Sequence, residues 1–370
     1  MQNPIVIGKP SRLWSYFLLA LALIPAFGAA QSGQKRSAAS GAQVVTLGRP
    51  MRSRVQGDVV TFSPPAVSAL TFSPDGMTLL AVREQASPAA GENAGAIEVW
   101  SLAPPRLLRT VGSREYGYTA AALSPNGKIL AALMGGYLFL WDWQSGKKLY
   151  EATINQIQQG GLTLEDAGTC GAAEDTLAWL PDNTLFYTGM KHKRLMHLDP
   201  TTLKLQPMEL TFPNISAVAL SSDGKQLALE RYQQPSGPDG IVLFDVASAS
   251  KIRALPLETG KMFGLAFFPD GKRIFTIEGE RDRAIDLADG KTLYSLPAGP
   301  DFKPVAFSPD GRWLATADSK AVTVWKADTG AKWAELPLGQ EYVTALTFAP
   351  DSRRLAIGFG DSTIQLWTLR

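Results

Sequence analysis

One short pattern returns along this chain, and it leaves few folds open. Aligned on a turn, the copies read ALTFSPDG ending at Gly76, AAALSPNG at Gly127, LAWLPDN at Asn183, AVALSSDG at Gly224, GLAFFPDG at Gly271, PVAFSPDG at Gly311 and ALTFAPDS at Ser352. Successive copies lie 40 to 56 residues apart. A period in that range marks a repeat architecture, in which each unit covers its apolar faces with its neighbours.

Each copy has the same internal order. Apolar side chains alternate before the turn, as in Leu70/Phe72, Val218/Leu220, Leu265/Phe267, Val305/Phe307 and Leu346/Phe348, which predicts a strand. Proline at the second turn position fixes φ and glycine two residues on accepts positive φ, so the chain reverses into a second strand. That strand carries Leu79, Leu130, Phe186, Leu227, Ile274, Leu314 and Leu355 at one position. A third strand ends on Trp100, Trp141, Leu198, Phe244, Ile285, Trp325 or Trp367, and polar turns such as DWQSGKK, DLADGKT and KADTGAK lead into a fourth. The unit predicted is four antiparallel strands, about the size of a propeller blade.

These FSPDG turns, the VW or LWD that ends the third strand and the TG turn after it resemble the WD-repeat β-propeller family, over about residues 58 to 370. Exported propellers similar to the TolB type also carry SPDG turns. The resemblance implies an all-β fold, a seven-bladed β-propeller of four-stranded antiparallel blades, working as a protein-interaction scaffold. Only Trp141-Asp142 keeps the family's literal Trp-Asp pair, and the Gly-His pair that opens the family's repeat is absent. The last unit stops after its third strand. Its fourth is expected from the N-terminal side, with Asp58 to Phe62 as first choice and Val44 to Leu47 as second.

Residues 1–30 have the layout of a secretory signal peptide: Lys9 and Arg12, the apolar run LWSYFLLALALIPAFG, then small residues before Gln31. Residues 31–57 are read as a flexible linker and 58–370 as the propeller. The expected location is therefore periplasmic or extracellular, with no membrane span left after cleavage. Residues 1–30 hold two of the 36 Lys+Arg and none of the 34 Asp+Glu, so the remainder is formally neutral and nucleic acid is not an expected partner. The single cysteine, Cys170, excludes an intrachain disulfide, and packing must supply the stability.

In a propeller the joins between strands two and three, and from strand four to the next blade, share one face. All three large insertions fall there: Arg83 to Ala96, Glu230 to Gly240 and Ile154 to Asp175. Variable loops on a rigid scaffold are where binding residues concentrate. Arg83, Glu84, Glu92, Gln156, Gln158, Arg231, Tyr232 and Gln233 are accordingly the candidate partner-binding residues, the partner being a protein and the propeller a monomer.

Catalytic residues are scarce. His192 and His197 are the only two histidines, five residues apart on an extended chain, and point to opposite faces. No Gly-x-Ser-x-Gly elbow, phosphate-binding loop or Cys-x-x-Cys occurs. Glu174, Asp175, Asn214, Asp301 and Glu341 enter first strands near the channel mouth, and an alternative reading makes them the site of a propeller-type hydrolase or lactonase. Lysines and arginines after the turns share their face with the turn aspartates, which cancel their charge. The reading preferred is a non-catalytic platform without cofactor or metal.

Overall fold

The structure is a computed structural model, and it describes residues 43–48, 54–56, 59–62, 66–83, 96–112, 118, 120–134, 137–153, 177–188, 195–200, 202, 204–208, 215–231, 240–256, 262–278, 281–297, 304–338 and 341–369. All regular elements among these are strands. β1 (Gln43–Leu47) is followed by a hairpin of β2 (Arg54–Gln56) and β3 (Val59–Phe62). Blade one holds β4 (Val67–Phe72), β5 (Thr78–Arg83), β6 (Ile97–Leu102) and β7 (Pro105–Val111); blade two holds β8 (Ala120–Leu123), β9 (Ile129–Met134), β10 (Tyr137–Asp142) and β11 (Lys147–Thr153). Blade three holds β12 (Leu177–Trp179), β13 (Leu185–Thr188), β14 (Leu195–Asp199) and β15 (Lys204–Met208); blade four holds β16 (Ile215–Leu220), β17 (Gln226–Arg231), β18 (Gly240–Asp245) and β19 (Ser250–Pro256). Blade five holds β20 (Met262–Phe267), β21 (Arg273–Glu278), β22 (Arg281–Asp286) and β23 (Thr292–Pro297); blade six holds β24 (Val305–Phe307), β25 (Trp313–Ala317), β26 (Ala321–Lys326) and β27 (Lys332–Pro337).

Six blades are thus built from four consecutive strands each, against the seven-bladed propeller expected from the sequence. The last turn copy yields only β28 (Val343–Phe348), β29 (Arg354–Phe359) and β30 (Ile364–Thr368), which join β1 in a composite sheet of order β1-β30-β29-β28. The pairing register runs unbroken from Gln43 opposite Thr368 to Leu47 opposite Ile364. The first-choice strand, Asp58 to Phe62, does not do this; its residues from Val59 pair back on Arg54–Gln56. Gln43–Leu47 also falls inside the stretch read as a linker. Its alternation explains the outcome: Leu47 is buried and Val45 half-buried against Ile364 and Leu366, while Val44 and Thr46 face outward.

First strands lie side by side, β4 by β8, β8 by β12, β16 by β20, β24 by β28 and β28 by β4, so fourth strands stand outermost. A transverse apolar rung crosses every sheet, for example Phe72, Leu79 and Trp100, or Phe348, Leu355 and Trp367. Its middle residue is fully buried in each: Leu79, Leu130, Leu185, Leu227, Ile274, Leu314 and Leu355. In blade three that residue is Leu185, not the expected Phe186, because the LPDNT turn is one residue shorter and Leu185 pairs with Trp179 and Leu198. The third-strand tryptophans are packed in these layers. Trp100, Trp325 and Trp367 donate Nε1 to Glu98, Thr316 and Gln365. Trp141, with Phe139 two residues before it, stacks on that ring 6.1 Å away instead.

The turns explain the motif residue by residue. Ser73 Oγ donates to Asp75 Oδ1 at 2.6 Å and accepts from Thr78 N at 2.9 Å, while Met77 N donates to the same carboxylate at 2.9 Å. Ser221/Asp223 and Ser308/Asp310 repeat this geometry, and Ser124/Asn126 repeats it with an amide. Where serine is replaced by Phe268 or Ala349, Arg273 and Arg354 pair with Asp270 and Asp351 from the following strand. Of the basic residues on this face, Arg273, Arg312 and Arg354 are thus paired with turn aspartates.

The same turns set the spacing between sheets. Gly127, at φ +69°, takes the Pro74 ring so closely that a Cβ there would lie 2.9 Å from it. Leu180 and Pro181 press on Gly224 in the same way, while Pro269 against Gly311 and Pro350 against Gly76 leave room for ordinary van der Waals contact. Where serine or asparagine replaces proline or glycine, a hydrogen bond substitutes: Asn126 N donates to Asn183 Oδ1 at 3.1 Å, Ser222 Oγ to Pro269 O at 2.9 Å and Asp310 N to Ser352 Oγ at 3.1 Å. Each sheet thereby touches the next through its turn, including the composite sheet and blade one.

Two outcomes follow for stability. Gly271 has positive φ but open space around its Cα, so Gly271→Ala should cost about 1 kcal/mol. Gly127→Ala carries the same strain and also strikes Pro74, which should raise its cost to about 2 to 3 kcal/mol in urea unfolding. Asp75 and Asp223 are held below the ordinary carboxylate range, first by the serine hydroxyls and then by the backbone N–H of Met77 and Lys225. A depressed folded value stabilises above the unfolded value of about 3.9 and loses that contribution as pH falls through the folded one. The urea midpoint should drop below about pH 4, and the double variant Ser73→Ala/Ser221→Ala should show a shallower drop.

Candidate functional site

Arg83 ends β5, where the longest join of blade one begins. On an exposed strand end its guanidinium would reach into solvent, yet its side chain is 3% exposed. Nη1 donates to Ser362 O at 2.6 Å and Nη2 donates to Glu98 Oε2 at 2.6 Å. Gly48, just after β1, has φ +81° and sits so near that a Cβ would lie 3.9 Å from Nη2. One cation on β5 therefore bonds β6 and the β29–β30 turn, beside the end of β1. Glu98 and Trp100 share a face of β6 because strand side chains alternate, and Trp100 Nε1 donates to the same carboxylate at 2.8 Å.

The surrounding backbone is fixed to this clasp. Tyr118 N donates to Arg83 O at 3.3 Å, and Ser68 Oγ donates to Tyr118 O at 3.1 Å. The buried Tyr118 ring lies over Gly112, at φ +91°, where any Cβ would collide with the phenol, and meets Phe139 edge-on at 6.0 Å. Across the seam, Gly358 accepts the close approach of Val67, and Asp361 Oδ1 accepts from Thr363 N at 2.9 Å and from Thr363 Oγ1 at 2.6 Å. Tyr342 packs one side of its ring on Gly360, whose N–H donates to Tyr342 O at 3.1 Å, and leaves 62% of its surface open. Glu341 beside it is also exposed.

Blade five repeats the arrangement on the same face. Glu278 Oε1 accepts from Thr276 Oγ1 at 2.5 Å and from Arg283 Nε at 2.8 Å, and Glu278 N donates to Asp282 Oδ1 at 3.2 Å. In both places a carboxylate and a guanidinium hold one another below the surface.

Of the candidate partner-binding residues, Arg83 is thus corrected: it faces inward and is consumed by Glu98 and Ser362. Arg231 ends β17 opposite Ile215 and Gly240. Glu84, Glu92, Gln156, Gln158, Tyr232 and Gln233 lie outside the described residues, as do Glu174, Asp175, Asn214, Asp301, His192 and Cys170. His197 lies in β14 opposite Phe186 and Gln206. Among the described residues, no three His, Cys, Asp or Glu side chains are grouped to hold a metal ion, and no helix is long and apolar enough to cross a membrane. Sequence reasoning missed Glu98, Tyr118 and Tyr342. Glu98 had a legible signal, an acidic residue two before the third-strand Trp100 and opposite the interior of β5.

The family described as WD domain, G-beta repeat matches residues 305–326 and 336–368, which take in the first three strands of blade six and β28 to β30. Telomerase protein component 1 of Mus musculus is 24% identical over 286 residues, 75% of this chain and 10% of that protein. Small ribosomal subunit protein RACK1z of Oryza sativa subsp. japonica is 31% identical over 122 residues, 30% of this chain and 35% of that protein. Small ribosomal subunit protein RACK1 of Schizosaccharomyces pombe is 28% identical over 121 residues, 30% and 38% respectively. The matches thus span a tenth of the first relative and little more than a third of the others.

The clasp makes a quantitative expectation. Removing Glu98 leaves a buried, permanently charged guanidinium without its counter-ion, so Glu98→Ala should lower unfolding free energy by about 3 to 5 kcal/mol, measured by urea titration.

Proposed function

We propose that this chain, a WD-repeat propeller, is an exported, non-catalytic platform that holds a protein partner on its loop-bearing face. The observation that carries the reading is the state of the charged groups there. Arg83 with Glu98, and Arg283 with Glu278, are paired and largely turned inward, and Tyr342 exposes its ring on the composite sheet that Arg83 reaches through Ser362. A rigid floor with an exposed aromatic suits contact, because tyrosine offers a large, partly apolar surface at small entropic cost. The three insertions open from the same face. The relatives' names, a protein component of telomerase and proteins of the small ribosomal subunit, are those of parts of larger assemblies, which supports a docking role. Export rests on the signal-like residues 1–30.

The test is affinity capture from the source cell's envelope or medium with the intact chain, beside one variant shortened between Arg83 and Ala96 and between Ile154 and Asp175, and another carrying Tyr342→Ala. Partner recovery should fall about tenfold or more for each, as for loss of a central contact, with the thermal transition unchanged. Equal recovery from all three proteins overturns the assignment of this face.

A further inference from the structure

The outermost strands of the blades are defended against pairing with another strand, and β1 is not. In blades one, two, four, five and six the outer strand carries a one-residue bulge, leaving Leu108, Leu149, Ile252, Leu293 and Trp333 without a partner on the adjoining strand. Charges and prolines flank them: Pro105, Arg106 and Arg109 on β7; Lys147, Lys148 and Glu151 on β11; Lys251, Arg253 and Pro256 on β19; Pro297 on β23; Lys332, Glu335 and Pro337 on β27. β15 has no bulge but carries Lys204 and Pro207. Bulges, charges and proline are the devices that keep sheet edges from recruiting strands.

β1 has none of the three. Its sequence is QVVTL, its register with β30 is unshifted over five residues, and it stands at the end of the sheet order with Val44 42% exposed. An uncharged, β-branched, regular edge is a template for strand addition. We propose that β1 pairs antiparallel with β1 of a second copy, making a two-fold dimer through the composite sheets in place of the monomer expected from sequence. The occupant follows from the strand itself. About a two-fold axis at Val45, Val44 of one copy faces Thr46 of the other, and Gln43 faces Leu47, so no like charges oppose and β-branched side chains meet. This surface lies on the outer edge of the composite sheet, and the proposal stands or falls independently of the loop-bearing face.

Sedimentation velocity of the full chain over a wide concentration range should show a monomer–dimer equilibrium. Val44→Lys with Thr46→Lys changes two outward side chains and sets like charges opposite each other twice, which should weaken the dimer about tenfold or more. Val44→Lys with Thr46→Glu should bring it back, since each introduced lysine then faces an introduced glutamate. In the wild type, amide exchange at Gln43–Leu47 should slow as concentration rises. A wild type that stays monomeric, a dimer indifferent to the double lysine change, a Lys/Glu variant that behaves like the double lysine one, or exchange that ignores concentration each overturns the proposal.

Discussion

A four-stranded sheet with a fully buried leucine at its centre has two apolar faces and no means of covering either. Everything else in this molecule answers to that constraint. Leu79, Leu130, Leu185, Leu227, Ile274, Leu314 and Leu355 are buried because a neighbouring sheet stands on each side, and the neighbours stand close because turn meets turn. Burying such a side chain contributes roughly 2 kcal/mol, which no single blade could collect alone. The Pro-on-Gly contacts are therefore part of the packing of the core, although they lie at its rim.

The seam between the composite sheet and blade one is where that arrangement needs most help. Other outer strands reach their sheet through a short polar turn; β1 reaches β30 across nearly the whole chain, with a correspondingly larger loop entropy to overcome. The structure concentrates specific contacts at this place. Pro350 rests on Gly76, Val67 enters the space left by Gly358, and Arg83 ties β5 to Ser362 beside the end of β1. An ion pair buried in this way adds little by area, but it is intolerant of a shifted neighbour, so it fixes register as much as it stabilises.

How much of this could be read in advance depended on whether the cause was local. The turns were legible as chain reversals, since Pro and Gly act within a few residues, while the Ser–Asp hydrogen bonds that brace them came from the structure. The three-residue rung was legible in six sheets and slipped in blade three, where LPDNT is one residue short and Leu185 replaces Phe186. The partner of β30 was named only as second choice: Asp58 to Phe62 and Val44 to Leu47 both alternate, and nothing local tells which will find an edge formed some 300 residues later. Arg83 shows the reverse limit. Its position beside an insertion suggested exposure, and only the third dimension supplies Glu98 and Ser362 to draw it inward. Tyr342 gave no signal, because an aromatic entering a first strand looks like core, whereas in the structure most of its surface is exposed.

The pairing of Gln43 with Thr368 has a topological side. β30 runs out beside the place where β1 starts, so the gap between them occupies the position that a short polar turn fills between the third and fourth strands of the other sheets. In terms of pairing, β1 stands to β30 as each fourth strand stands to its third, so a short polar turn bridging Thr368 to Gln43 is compatible with every strand pairing described.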